Sequence, residues 1–217
     1  MSAAPALLDP PPALDAEGFA AVSGASKAQV ADLQRLRVML ADWNERMNLV
    51  GPSGLAEFWS RHAWDSAQLL GAAPTALAWA DLGSGAGFPG LVLAILLKGR
   101  PGARVELVES LGKRCRFLEA VVEALALPAE VRQARAETVA AKVEVVTARA
   151  VAPLEKLLGF AKPTMDLGAV GLFPKGRSAD AEIAGARKAW RFKVDILPSR
   201  SGPDGRILRI TDLSRAR

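Results

Sequence analysis

The sequence predicts a doubly wound α/β domain: a mostly parallel sheet with helices on both faces, an antiparallel C-terminal hairpin and a helical N-terminal cap. Three observations predict it. From Leu77 onward, short apolar runs alternate with helical patterns, as parallel strands joined by helical crossovers require. The last two strand candidates flank residues 198–205, a turn-rich stretch suited to a hairpin. Ahead of the sheet, Val30, Leu33, Leu36, Leu40 and Trp43 recur at three- and four-residue steps, the stripe of an amphipathic helix.

In chain order, Ser26 is placed to start that first helix, and a second covers Leu55 to Leu70. Leu77 to Leu82 is the first strand, Pro89 to Lys98 a helix and Arg104 to Glu109 the second strand. A helix follows from Ser110 to Leu125, with Leu111, Cys115, Leu118, Val122 and Leu125 on one face. Further strands are Val131 to Ala134, Val143 to Ala148, Ala169 to Pro174, Phe192 to Leu197 and Arg206 to Thr211. Residues 26–217 therefore read as a single domain, a cap over 26–72 and a sheet core over 73–217, with no internal repeat.

Half of the 217 residues are hydrophobic, enough for one sizeable core. No Lys or Arg precedes Lys27 and prolines break the early apolar residues, so neither a signal nor a transit peptide fits, and residues 1–25 are expected to be a flexible lead. The longest apolar runs fall far short of the roughly 20 residues that span a bilayer. A single cysteine, Cys115, excludes an intramolecular disulfide and a Cys-rich metal site, and no metal is expected. This fits a reducing, cytoplasmic setting.

The net charge is +5, but it is unevenly placed. Residues 187–217 carry nine basic against three acidic side chains, +6, which leaves −1 for the rest. Such a region suits phosphate neutralisation, although a solvated surface gives the same count. Arg187, Lys188 and Arg191, together with Lys113, Arg114 and Lys175, are candidate contacts for a nucleic acid.

The run Asp81-Leu82-Gly83-Ser84-Gly85-Ala86-Gly87-Phe88-Pro89-Gly90 follows the first strand and opens a helix, where open α/β sheets bind ligands. Residues 85–90 satisfy the dinucleotide fingerprint, which keeps an NAD(P)-linked oxidoreductase open. Asp81 argues against it: a carboxylate there repels a pyrophosphate and suits the cationic methionine part of S-adenosylmethionine. Glu109, ending the second strand, is placed to accept hydrogen bonds from both ribose hydroxyls, and Glu137 follows the third strand, where the adenine edge is expected.

These residues resemble the bacterial 16S rRNA guanine-N7 methyltransferases, the glucose-inhibited division B group. The matching segments are residues 43–49, His62 with Asp65-Ser66, residues 81–90, Glu109-Ser110-Leu111-Gly112-Lys113-Arg114, Arg135-Ala136-Glu137 and Thr147-Ala148-Arg149-Ala150. The resemblance implies a Rossmann-like class I methyltransferase sheet, S-adenosylmethionine as cofactor, and methylation of N7 of a guanosine in the 530 loop of 16S rRNA, on naked RNA or a precursor of the small subunit. By motif position it implies cofactor contacts from Gly83, Phe88, Ala136, Glu137 and Arg149, with Glu109-Ser110-Leu111 bordering the cofactor; Asp81, Ser84, Gly85 and Gly87 of the glycine loop complete the expected cofactor residues. A monomer is expected. Phe173-Pro174-Lys175-Gly176 departs from the pattern by placing proline before Lys-Gly.

Guanine N7 carries an in-plane lone pair, so no base is needed before attack and no catalytic acid or base is named. Cys115 lies on an apolar helix face, which favours core over nucleophile, and no Asn-Pro-Pro-aromatic or Asp-Pro-Pro-aromatic motif follows the fourth strand. Arg149 stands there instead, to align the acceptor or the cofactor's carboxylate, unless it is a surface ion pair. His62, the only histidine, either faces the pocket or braces the cap. Trp43, Trp59 and Trp64 suit core packing over base stacking. A non-catalytic RNA- or ribosome-binding protein of the same fold is a further alternative.

Overall fold

The structure, a computed structural model, describes residues 14–216. Seven strands form one sheet in the order β3-β2-β1-β4-β5-β7-β6. Strands β1 (Ala78–Leu82), β2 (Arg104–Glu109), β3 (Ala129–Gln133), β4 (Val145–Thr147) and β5 (Val170–Lys175) are parallel. β7 (Arg206–Arg215) inserts antiparallel between β5 and β6 (Trp190–Pro198), so the doubly wound Rossmann-like expectation holds, hairpin edge included. The hairpin is longer than its apolar pattern suggests because its outer face is polar: β6 alternates Trp190 and Phe192 inward with Arg191 and Lys193 outward. Pro174 is accommodated within β5, opposite Ile207.

Side chains alternate between two cores. Trp79, Val105, Leu107 and Leu172 face the cluster shared with the cap, α5 (Gly90–Leu97) and α6 (Gly112–Ala124). Ala80, Leu82, Val108 and Phe173 face the cluster shared with α7 (Leu154–Met165) and α8 (Ala179–Ala186). α5 is apolar all round, as a helix covered on every side must be. In α6, Cys115, Phe117, Leu118 and Val121 are buried, whereas Leu111 is 55% exposed and only precedes the helix.

The cap differs from expectation twice. Residues 1–13 of the predicted flexible lead lie outside the described residues, but Ala16–Ser23 form helix α1, capped by Asp15 and anchored by fully buried Phe19 against Trp59. α2 (Lys27–Met47) follows, with a capping box in which Ser26 and Gln29 satisfy each other's backbone. The predicted helix over residues 55–70 is in three parts: α3 (Pro52–Ala56), a π-helical stretch Phe58–Trp64, and α4 (Asp65–Ala72). The wider π turn buries Phe58, Trp59, Ala63 and Trp64 while leaving Arg61 and His62 toward the carboxyl ends of the strands.

Candidate functional site

The turn after β1 is tied down by its own backbone. Gly83 and Ser84 both donate to the Val108 carbonyl, at 2.8 and 2.9 Å, and Ser84 Oγ donates to the Asp81 carbonyl. Gly83, Gly85 and Gly87 have φ of +69°, +56° and +88°, the left-handed region that only glycine adopts freely. The three have different neighbours. A Cβ on Gly87 would collide with Leu91, and one on Gly83 would press on Val151, but at Gly85 the nearest atom is the Gly83 carbonyl at 3.7 Å. Gly85 thus opens into the cleft, while Gly87 serves packing.

Asp81 is fully buried beneath this loop. Its Oδ2 accepts from Gly90 N at 2.9 Å, and Oδ1 has no partner among the described residues. Burial pushes its pKa up to about 6, against the smaller effects of the Gly90 amide and the nearby Ser84 hydroxyl. Glu109, 4% exposed, is oriented by backbone: Oε1 accepts from Ser110 N and Leu111 N, at 2.7 and 2.8 Å, and Oε2 from Gly85 N at 3.0 Å. One site remains open on Oε2. Oε2, with a single backbone donor, keeps acceptor capacity for a hydroxyl.

Arg149, just past β4, joins the sheet to the cap. Nη1 donates to the Arg61 carbonyl at 2.6 Å and lies 3.5 Å from Asp65 Oδ2, and Nη2 meets His62 Nδ1 at 2.7 Å. Its guanidinium also lies over the Phe88 ring, on which His62 stacks at 4.3 Å and 9°. The side chain is only 20% exposed, so the reading of Arg149 as a surface ion pair fails. Desolvation is its largest perturbation and lowers its pKa, partly offset by Asp65 and Asp81.

Around these residues is a cleft of about 1080 Å³. Of the expected cofactor residues, Gly83, Ser84, Gly85, Phe88 and Arg149 line it, with Asp81 beneath and Glu109 behind Gly85. Ser110 is exposed beside Glu109, and Ala136 and Glu137 form a 3-10 turn after β3, outside the cleft lining. The opposite wall is the β6–β7 loop, which sequence reasoning missed. Gln68, buried in α4, holds this loop: Nε2 donates to Ser201 Oγ and Oε1 accepts from Arg200 N, each at 2.6 Å. The available signal was a glutamine within the apolar run Ala67-Gln68-Leu69-Leu70.

The expected substrate contacts fare unevenly. Arg114 lines the cleft, 3.7 Å from Glu109, but Lys113 does not. Lys175 lines it too, yet its ammonium is spent on Glu182, at 2.7 Å, and the Ala152 carbonyl, bracing β5 to α8. Arg187, Lys188 and Arg191 do not line the cleft. Strand register puts Arg206 beside Lys175 at the cleft end of the hairpin and Arg215 beside Trp190 at the other, so they sit at the end away from it. Among the described residues, no group of His, Cys, Asp and Glu is placed to hold a metal, and no helix is long and apolar enough to cross a membrane.

Comparison with known proteins agrees with this geometry. The chain is 58% identical over 210 residues to the ribosomal RNA small subunit methyltransferase G of Caulobacter vibrioides strain NA1000, covering 97% of each chain. It is 48% identical over 191 residues to the protein of the same name from Methylorubrum populi, covering 87% of this chain and 90% of the relative. Two solved structures share the fold. They are the S-adenosylhomocysteine-bound Podospora anserina methyltransferase PaMTH1, with TM-score 0.56 and 14% identity over 86% of this chain and 88% of that one, and the Synechocystis magnesium protoporphyrin IX methyltransferase with bound S-adenosylmethionine, with TM-score 0.51 and 15% identity over 86% and 97%. The sequence model of one family matches residues 29–201, and the chain belongs to that family, GidB, described as rRNA small subunit methyltransferase G.

Proposed function

We propose that this protein transfers a methyl group from S-adenosylmethionine to small-subunit rRNA, at N7 of a guanosine in the 530 loop of 16S rRNA. The observation that carries the cofactor half is the unpaired, buried Asp81 Oδ1 beneath a glycine loop whose Gly85 opens into the cleft. A cationic ligand satisfies that acceptor, whereas the pyrophosphate of a dinucleotide would be repelled by it. S-adenosylmethionine, when bound, supplies an electrophilic methyl on a sulfonium. Gly83, Ser84 and Gly85 would hold it by backbone, Asp81 would face its cationic part, the open site on Glu109 would take a ribose hydroxyl, and Ala136 with Glu137 would border the adenine.

The remaining work is done by positioning. Arg149 is clamped by Arg61, His62 and Asp65 and stacked on Phe88, so its donors are oriented before anything binds. The cap forms one wall of the cleft and the β6–β7 loop the other, so the acceptor base would enter between them. The protein is expected to act in the cytoplasm as a monomer. The test is to incubate it with labelled cofactor and small subunits, and to map N7-methylguanosine in 16S rRNA from cells with and without the gene. Loss of one 530-loop mark on deletion, restored by the gene, is the expected result; label on another base or on protein overturns the assignment.

A further inference from the structure

We propose that Arg187, Lys188, Arg191 and Arg215 form a second RNA contact, outside the cleft, that grips the phosphate backbone remote from the target base. The proposal rests on the reading that rRNA is the substrate. The four side chains belong to residues that the fold gathers at one corner: the turn after α8, the start of β6, and the end of β7, where Trp190 pairs with Arg215. All four are exposed, and none has a carboxylate partner among the described residues.

Several cations on or beside the hairpin differ in this: Lys193 pairs with Asp212 at 2.8 Å, Arg209 with Asp195 at 3.1 Å, and Arg177 with Asp204 at 2.9 Å, while Arg206 is held by the Pro203 and Gly205 carbonyls. At the corner, aromatic rings replace the anions. Arg215 lies 3.9 Å from the Trp190 ring centroid and Arg187 5.1 Å from that of Phe192. A guanidinium laid on a ring loses rotational freedom yet keeps its edge donors, the fork that matches a phosphate. β6 is also the sheet edge, so among the described residues no further strand covers this flank. A protein partner would need a matching acidic face, whereas RNA supplies anions at every nucleotide, and the substrate is itself a polyanion. The hairpin separates the corner from the cleft by about 30 Å of strand, at roughly 3.3 Å per residue, so only an RNA longer than a small stem-loop reaches both.

The experiment measures binding of full-length 16S rRNA and of a short stem-loop carrying the target guanosine, across salt concentrations, for wild type and for R187Q/K188Q/R191Q. For full-length rRNA the variant's salt slope falls by about 2 to 3 and its KM rises roughly tenfold, with kcat unchanged. The stem-loop is bound and methylated as before. Lys188→Glu alone shifts the same slope by more than Lys188→Gln, which guards against a folding artefact in the triple variant. An unchanged slope on full-length rRNA overturns the proposal, as does an equal loss on both RNAs. Weakened binding to assembled subunits with naked rRNA unaffected overturns it in favour of a ribosomal protein partner. If wild type methylates no RNA, the proposed function fails on its own arm, and the binding slopes still judge the corner.

Discussion

Arg149 Nη2 lies 2.7 Å from His62 Nδ1, and since arginine only donates, His62 must accept there and carry its proton on Nε2. Burial, then the charge of Arg149, lower the His62 pKa to about 4, so the ring is neutral in the working pH range and the contact persists. His62 is therefore a brace that aims Arg149.

Arg149→Lys is expected to separate aim from charge. Lysine keeps an ion pair with Asp65 but cannot reach the Arg61 carbonyl and His62 together. Single-turnover methylation should fall about 100-fold, the scale of one lost positioning contact. Arg149→Ala should lose the same activity and about 1–3 kcal/mol of stability as well, because it leaves buried polar groups unpaired. Equal activity in Arg149→Lys and wild type would remove Arg149 from the site.

Asp81 predicts opposite pH trends for stability and for cofactor binding. Its pKa is raised above the unfolded value, so the stability it contributes is present below about pH 4 and lost as pH rises through about 6. Relative to Asp81→Asn, the cofactor-free protein should lose melting temperature between pH 4 and 6. Cofactor affinity should rise over the same interval in wild type and stay flat in Asp81→Asn. Parallel pH profiles for the two proteins, by thermal shift and by calorimetry, would refute the role given to the carboxylate.

Gly85 and Gly87 should respond differently to a side chain. Gly85→Ala meets no protein atom but blocks ligand space, so it should fold, lose about 1–2 kcal/mol to its positive φ, and bind S-adenosylmethionine far more weakly. Gly85→Val should abolish binding in a folded protein. Gly87→Ala forces its Cβ into Leu91 and should cost more stability than affinity. Melting curves beside calorimetry check the pair, and near-normal affinity in Gly85→Val would displace the site.

Gln68→Leu should free the β6–β7 loop by removing its bonds to Ser201 and Arg200. Limited trypsin digestion should then nick the chain at Arg200 or Arg206 several-fold faster, with S-adenosylmethionine affinity unchanged and the KM for rRNA raised. Unaltered digestion would show that the Trp64 contact to the Arg200 carbonyl suffices alone.

What the sequence made legible was local. The glycine loop stood out because three left-handed positions in five residues leave few choices of side chain, and the sheet because crossovers impose their alternation. The joint between cap and sheet was hidden: Arg149 meets His62 across 87 residues and Gln68 meets Ser201 across 133, distances over which no periodicity speaks. The π turn over Phe58–Trp64 was hidden because its hydrophobic spacing still looks helical. The basic C-terminal region was legible as a count but not as a place, since only the strand register tells which end of the hairpin each arginine occupies.

The insertion of β7 between β5 and β6 also sets an order of assembly. During synthesis β6 leaves the ribosome before the strand that gives it a place in the sheet, and β5 keeps an open edge until β7 fills it. A nascent chain stalled before Arg206 would carry one unpaired strand, β6, and one open edge, on β5, a state prone to edge-to-edge association. Ending the chain before Arg206 should therefore send the protein into aggregates, with its glycine loop intact in sequence.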